Sequence, residues 1–444
     1  MNNLKEDDKR NSACSFIRPE LDYSMDDIPT QTAIEREFYH AISAEPLSGA
    51  SPLEFNVSGE STQYIDFSKT YLHFFLNVGL KSSPSVVPTL VDDANGKKLT
   101  FSNNVMHTLF RNVEVTMNGV YVTTSYSNYD YKAYLMNLLG FGDNVKKSTL
   151  QMEGWSTDEA NKFESETNAG FVTRQEWLKS KLELLGALKL DLANQCKLIP
   201  DGINISIRMI RNPPEFVMMD FAGASASDFT CTISDPVLYV KKVVLTPDEH
   251  LRLNNEVRLW PFQISIQRRD VTTHTISMGS HHKKIERVFE GPLPRLMIVG
   301  LVSSSAFAGD VAKNPFLFQH FNLNHIQAYV DGTAVPASAF EPRWDGNKRS
   351  GRSYLGLMAA IGAWRYPHGP SITLDEYHGG NALFAFQLAP ETNYCYKNAV
   401  VSGSVTLEMK FGQQLSESVN CIILAESDSN LYVNELRAVS HDFK

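Results

Sequence analysis

Apolar residues along this chain recur most clearly at every second position. Ile203, Ile205, Ile207 and Met209 alternate with polar partners, and Val405, Leu407, Met409 and Phe411 do the same near the far end. That period belongs to a strand with one buried and one wet face. Between Val113 and Val122 the apolar pattern turns back on itself at Asn118-Gly119, a pair that accepts the positive φ of a type I′ turn, so a hairpin is predicted. A short helix should follow, because Tyr131, Tyr134, Leu135 and Leu138 share one helical face and Gly140 ends the run.

The same features return in the same order. The hairpin reappears between Ile326 and Val335 with Asp331-Gly332 in its turn, 213 residues on, and His107 and His320 keep that register. The helix reappears from Tyr354-Leu355 to Ile361-Gly362, with Tyr354 matching Tyr134 at a shift of 220. Leu188, Leu190 and Leu192 alternate as Phe384, Phe386 and Leu388 do, at a shift of 196, and the strands at 203–209 and 405–411 are 202 apart. Four ordered pairs at nearly one spacing indicate two copies of one β domain whose loops have drifted in length.

The connector is also legible. Val237 to Leu245 reads as the closing strand of the first copy, and Thr246-Pro247-Asp248-Glu249 opens a helix with a capping box and proline at its first position, ending near Val257 before Trp260-Pro261. The expected organisation is an arm over 1–40, a first β domain over 41–246, a helical connector over 247–260, and a second β domain with a C-terminal tail over 261–444. Copies of about 200 residues built from short strands, hairpin turns and one or two helices suggest sandwiches, and eight strands in two sheets make a jelly roll. The fold expected is therefore all-β, two tandem jelly-roll sandwiches with short helices in the connecting loops. Residues 142–181 and 336–353 are polar, glycine-bearing insertions after the two hairpins, and contact with neighbouring subunits is their expected use.

Composition narrows the class. The 444 residues are 43% hydrophobic and 20% charged, enough for real cores, and the formal charge of −9 argues against a general nucleic-acid binder. Cys14, Cys196, Cys231, Cys395 and Cys421 form no CxxC pair and are spread along the chain, so no disulfide is expected, with Cys421 as a small core residue. The charged start lacks the apolar stretch of a signal peptide, and the aliphatic run Leu296 to Val302 is far too short for a membrane span.

Three blocks carry a family resemblance. Ile28 to Glu35, Glu54 to Gly59 and Tyr64 to Leu72 make up the first, Lys313 to Phe318 followed by the hairpin Tyr329 to Gly332 the second, and Tyr377 to Phe386 the third. Together these resemble the major capsid proteins of adintoviruses and Maverick/Polinton-type elements, from about Glu20 to the end, with departures around 146–165 and 341–352. The resemblance implies a hexon-like double jelly roll, a homotrimeric capsomer of pseudo-hexagonal outline in an icosahedral shell, and residence in the virion. It implies neighbouring capsomers, penton and minor capsid proteins as partners, and no catalytic residues. In such a trimer the first domain of one chain meets the second domain of the next, with Trp155, Trp177, Trp344 and Trp364 as candidate anchors and packing within their own domain as the alternative.

Site motifs point the same way. GxSxG, GxxxxGK[ST], HExxH and complete GxGxxG patterns are all missing, so no enzymatic activity, cofactor or metal is expected. His281-His282 stands beside Lys283-Lys284, where positive charge disfavours a metal ion; Asp92 to Gly96 and Asp428 to Asn430 read as surface turns, the former lacking the closing glutamate of a calcium loop. Tyr126, Tyr129, Tyr131 and Tyr134 read as core or contact residues before base-stacking ones. Two other classes remain open: a sugar-binding jelly roll that stacks glycans on Trp155, Trp344 and Trp364, and a cupin-like metalloenzyme, for which no strand-borne His and Glu cluster is found.

Overall fold

The computed structural model describes residues 34–44, 51–80, 99–123, 128–195, 197–221, 229–344, 350–364, 369–370, 372–388 and 402–442. Cys14, Cys196, Cys395, Tyr126 and the acidic stretch 92–96 lie outside them.

The first half places strands β1 (Ile34–Ser43), β10 (Phe229–Leu245), β3 (Gln63–Leu80) and β7 (Leu182–Ala187) side by side in one sheet. Its second sheet runs β2 (Leu53–Val57), β8 (Ile205–Arg211), β5 (Phe110–Met117) and β6 (Val120–Tyr121). A two-stranded ribbon of β4 (Leu99–Phe101) and β9 (Met218–Asp220) stands apart. The second half repeats the plan with β11 (Phe262–Ile276), β18 (Val419–Val433), β13 (Leu296–Ser303) and β16 (Leu383–Gln387) in one sheet. The other contains β12 (His282–Pro292), β17 (Ser402–Phe411), β14 (Leu323–Val330) and β15 (Thr333–Phe340). With the ribbon set aside, each half orders its strands first-eighth-third-sixth and second-seventh-fourth-fifth, all antiparallel, which is jelly-roll winding. A last strand, β19 (Val439–His441), pairs with β18.

Local chemistry explains the matching turns. Asn118 and Gly119 take φ of 46° and 82°, and Asp331 and Gly332 take 47° and 82°, the left-handed pair that a two-residue type I′ hairpin demands. The helix predicted after the first hairpin is α1 (Tyr129–Gly140), and its counterpart is α4 (Gly351–Ala360). The connector helix α3 (Pro247–Leu259) has proline at its first turn as expected, but Thr246 makes no side-chain cap bond, so the predicted capping box does not form. The strand β1 straddles residue 40 and is built into the first sheet.

Two readings of the sequence are corrected here. Leu188, Leu190 and Leu192 are not a strand: β7 ends at Ala187, and the three leucines line the core from the coil and 3-10 turn that follow. Their alternation came from burial, not from sheet pairing. Asp428 to Asn430 is not a turn but part of β18, where Asn430 Oδ1 accepts hydrogen bonds from Gln263 and Ser265.

Each sandwich closes over its own apolar core. Phe55, Phe67, Phe74, Val115, Ile205 and Ile207 fill the first, and Ile276, Met297, Leu301, Leu407, Met409 and Cys421 fill the second. Burial at roughly 25 cal/mol per Å² makes these cores the main stabilising term. Gly300 lies where a Cβ would meet the Phe318 ring at 2.5 Å, so only glycine lets that phenylalanine cross β13.

Candidate functional site

A third apolar cluster belongs to neither sandwich but joins them. It begins with α1, whose Tyr131, Tyr134, Leu135, Leu138 and Leu139 are all buried. Across from them stands the outer face of the β11-β18-β13-β16 sheet, presenting Val271, Ile298, Ile422 and Leu424, also buried. The Tyr134 ring stacks on Phe316 at 4.1 Å and 2° and leans on Trp155 at 5.1 Å. Tyr131 donates its hydroxyl to the Pro315 carbonyl at 2.9 Å and meets Phe307 and Phe316 with ring centroids at 5.6 and 5.5 Å. The blocks around Lys313 to Phe318 and Tyr377 to Phe386 thus furnish the second domain's side of the junction.

The insertion 142–181 is a folded cap on this junction and not the loop expected. Helix α2 (Ala169–Trp177), a short helix Asp143–Lys146 and a 3-10 turn Thr149–Glu153 organise it. Beneath it lies a buried polar cluster in which Glu153 accepts from Lys189 Nζ at 3.0 Å and from Asn137 at 2.9 Å, with His107 Nε2 at 3.1 Å. Burial pushes the His107 imidazole below its ordinary range, while for Glu153 the effect of burial is outweighed by its hydrogen bonds and by neighbouring positive charge, which hold the carboxyl low. Through these three hydrogen bonds the cluster ties the cap to the first sandwich.

The tryptophans expected to anchor subunits separate into classes. Trp155 is 1% exposed and belongs to the junction between the sandwiches, so it is neither an exposed subunit anchor nor packed within its own domain alone. Trp344 is half-buried, stacked on His320 at 4.2 Å and donating to the Leu323 carbonyl at 2.7 Å. Trp177 is half-buried, and Trp364 is 59% exposed. Sequence reasoning missed the outward aromatics of the first sheet, Tyr39, Tyr71 and Tyr239, of which Tyr39 and Tyr71 stand 6.1 Å apart. Between the halves runs a cleft of about 510 Å³ lined by Leu135, Phe141, Leu296 and Ile361, at whose edge Arg269 and Arg295 share the Glu426 carboxylate.

The His320–Trp344 stack gives a pH signature. Burial, with the nearby His378 charge adding to it, depresses His320 to about 4. Its Nδ1 accepts from the Asn322 amide at 3.0 Å, which fixes the neutral form. An unfolded histidine takes a proton near 6.5, so below that pH the unfolded chain binds a proton the folded chain refuses, and stability falls as pH drops from about 6.5 to about 4. His320→Gln is expected to make the melting-temperature curve shallower in that window. An unchanged slope would show that the imidazole titrates freely.

No group of three or more His, Cys, Asp or Glu side chains is arranged to hold a metal among the described residues. His282 pairs with Glu408 at 3.1 Å. Tyr129 donates to or accepts from His107 at 2.9 Å in the core, with Tyr131 and Tyr134 buried in the junction. Cys231 and Cys421 are free thiols, Cys421 in the second core as expected. No helix among the described residues is long and apolar enough to cross a membrane.

No protein-family model matches the chain. It is 23% identical over 421 residues to an uncharacterized protein of Caenorhabditis elegans, F54H12.2, covering 92% of this chain and 97% of that one. Among solved structures, a chain of the Sputnik virophage is similar with a TM-score of 0.64 at 9% identity, over 96% of this chain and 92% of that one. The Faustovirus major capsid protein gives 0.56 at 9% identity, over 89% and 90%. The mavirus major capsid protein gives 0.51 at 10% identity, over 100% and 95%. At such identities the likeness is one of fold, and it extends over both sandwiches: the chain is a double jelly roll.

Proposed function

We propose that this chain is the major capsid protein of an icosahedral double-stranded DNA virus or of a virus-like integrated element, of adintovirus or Polinton type, without enzymatic activity or a cofactor. It builds trimeric, pseudo-hexameric capsomers that tile a shell and meet penton and minor capsid proteins, and its place is the virion. The observation that carries this reading is the duplication itself: two jelly rolls of identical strand order, locked side by side by an apolar junction. Two similar but non-identical domains per chain let three chains close a ring of six, which is a heterologous contact that leaves no unpaired end. The capsid proteins that share the fold lend weight to it, and a near full-length relative in Caenorhabditis elegans accords with an element carried in an animal genome. In this reading an arm precedes β1, the connector over 247–260 follows the first domain, and the second domain runs over 261–444.

Sedimentation of the purified chain at low micromolar concentration is expected to give a trimer, and electron microscopy hexagonal particles or closed shells. A stable, folded monomer with no higher assembly would overturn the reading.

A further inference from the structure

The internal duplication makes one surface conspicuous. In the second sandwich, the outer face of the β11-β18-β13-β16 sheet is covered at its centre: one cross-strand row places Val271, Leu424, Ile298 and Ala385 in register, none more than 6% exposed. The cover is α1, Trp155 and Phe216 from the first sandwich, together with Leu357 and Met358 of α4 and the rings of Phe316 and Phe318 from the second. The matching sheet of the first sandwich carries the matching row: Ala41, Tyr239, Tyr71 and Ala187, with Val237, His73 and Leu185 in the next. Here the face is left open among the described residues. Tyr71 is 37% and Leu185 38% exposed, and Tyr39 beside them is 51% exposed.

The covering element is duplicated too. Leu135 of α1, 1% exposed in the junction, corresponds to Leu355 of α4 when Tyr134 is matched to Tyr354, and Leu355 is 41% exposed. Trp364, just beyond α4, is 59% exposed. Among the described residues the chain therefore holds one complete helix-on-sheet contact, in which α4 also buries Leu357 and Met358, and beyond it an open sheet half and an open helix half, the latter being the outer side of α4 with Leu355 and Trp364. The sheet half lies on the first sandwich and the helix half on the second, so one molecule's helix half can meet only another molecule's sheet half.

We infer that the outer face around Tyr71, Tyr239 and Leu185 is a docking surface for a second copy of this chain, whose α4 and Trp364 cover it as α1 covers the second sandwich. This rests on the trimeric capsomer reading and adds to it the faces and side chains that form the seam. Aromatic and leucine side chains on a flat sheet, opposed by a tryptophan and a leucine, match the apolar centre of an obligate interface with its tryptophan and tyrosine anchors. Repeating the contact twice more closes a ring of three, because each chain offers one half of each kind.

The test uses the full chain. Leu185→Cys and Leu355→Cys variants, made separately, mixed from dissociated chains and treated with a short bismaleimide, are expected to give a linked dimer, and the double variant a linked trimer; Met278→Cys, at an exposed site off the seam, should give neither with Leu185→Cys. Tyr71→Glu should weaken association by at least about tenfold with unchanged circular dichroism. A wild-type trimer that fails to cross-link at these positions and survives Tyr71→Glu overturns the docking surface while leaving the capsomer intact. A wild-type monomer overturns both. Should Tyr71→Glu fail to fold, the cross-link alone decides.

Discussion

Trp155→Ala is expected to lose about 3–5 kcal/mol of stability, the usual cost of emptying a buried aromatic site, and to have no separate effect on association. The residue is 1% exposed, wedged between the insertion cap and the Tyr134 ring at 5.1 Å. Its backbone leaves little room to collapse into the void. Gly154 before it sits at φ +77°, where a Cβ would strike the Val105 side chain at 2.3 Å, and the Trp155 amide is fixed by the Leu150 carbonyl at 3.0 Å. Tyr134→Ala should cost a similar amount, since it removes the ring stacked between Trp155 and Phe316. The two changes share one cavity, so the double variant should fall short of the sum. Urea unfolding followed by tryptophan fluorescence and circular dichroism checks this. Because the cluster holds the two sandwiches together, the parent is expected to unfold in one transition and either variant to broaden or split it. A midpoint that stays put while the trimer dissociates would return Trp155 to the surface.

The contrast between Trp155 and Tyr71 shows where sequence reading works and where it stops. Alternation found β5, β8, β14 and β17 because each belongs to a sheet with one packed and one wetter face, so period two survives in the residues. The turns were legible because type I′ geometry admits so few residue pairs. Alternation misled at Leu188, Leu190 and Leu192, since a coil threading a core buries every second residue as a strand does. The insertion 142–181 read as polar loop because its helices are short and its buried groups are spread out: Lys146, Leu150, Glu153, Trp155, Asp158, Phe163, Asn168, Phe171, Arg174 and Leu178. Half of those are polar, and only distant partners make them core.

The candidate surface had a signal that one-sided alternation hides. From Tyr71 to Leu76 the chain runs tyrosine, leucine, histidine, phenylalanine, phenylalanine, leucine, with no wet parity. Leu72, Phe74 and Leu76 fill the sandwich, which leaves Tyr71, His73 and Phe75 on the other face. A strand apolar on both parities belongs to a sheet covered on both faces. The second sandwich obeys that rule within the chain, with Leu296 to Ser303 of β13 almost wholly buried. In the first, Tyr71 and Leu185 stay open among the described residues, and that asymmetry is invisible until both halves are placed in space.

Arg174→Lys should prove nearly as damaging as Arg174→Ala, although it keeps the charge. Arg174 is fully buried and spends its guanidinium on three separate acceptors: Nε donates to the Phe101 carbonyl at 3.0 Å, Nη1 to the Ser156 carbonyl at 2.9 Å, and Nη2 to Asp158 Oδ1 at 2.8 Å. Those acceptors lie on the β4 ribbon and on the segment after Trp155, so one side chain of α2 pins the cap to the first sandwich. Asp158 is held in turn by Asn168 Nδ2 at 2.7 Å, and Asn168 caps α2 by accepting from Gly170 N at 3.0 Å. A lysine ammonium is a point donor on a flexible stem and cannot span three divergent acceptors, so at least one carbonyl would be left buried without a partner. The expected loss is about 2–4 kcal/mol for lysine and about 3–5 kcal/mol for alanine, which also strands the Asp158 carboxylate. Asp158→Ala should fall in the same range as the alanine variant, because it leaves the guanidinium uncompensated in the same site. Chemical denaturation of the three variants tests the scheme, and limited proteolysis should release the segment around 156–178 earlier than in the parent. A lysine variant within about 0.5 kcal/mol of the parent would mean that charge alone holds the cap, and that the fork geometry is idle.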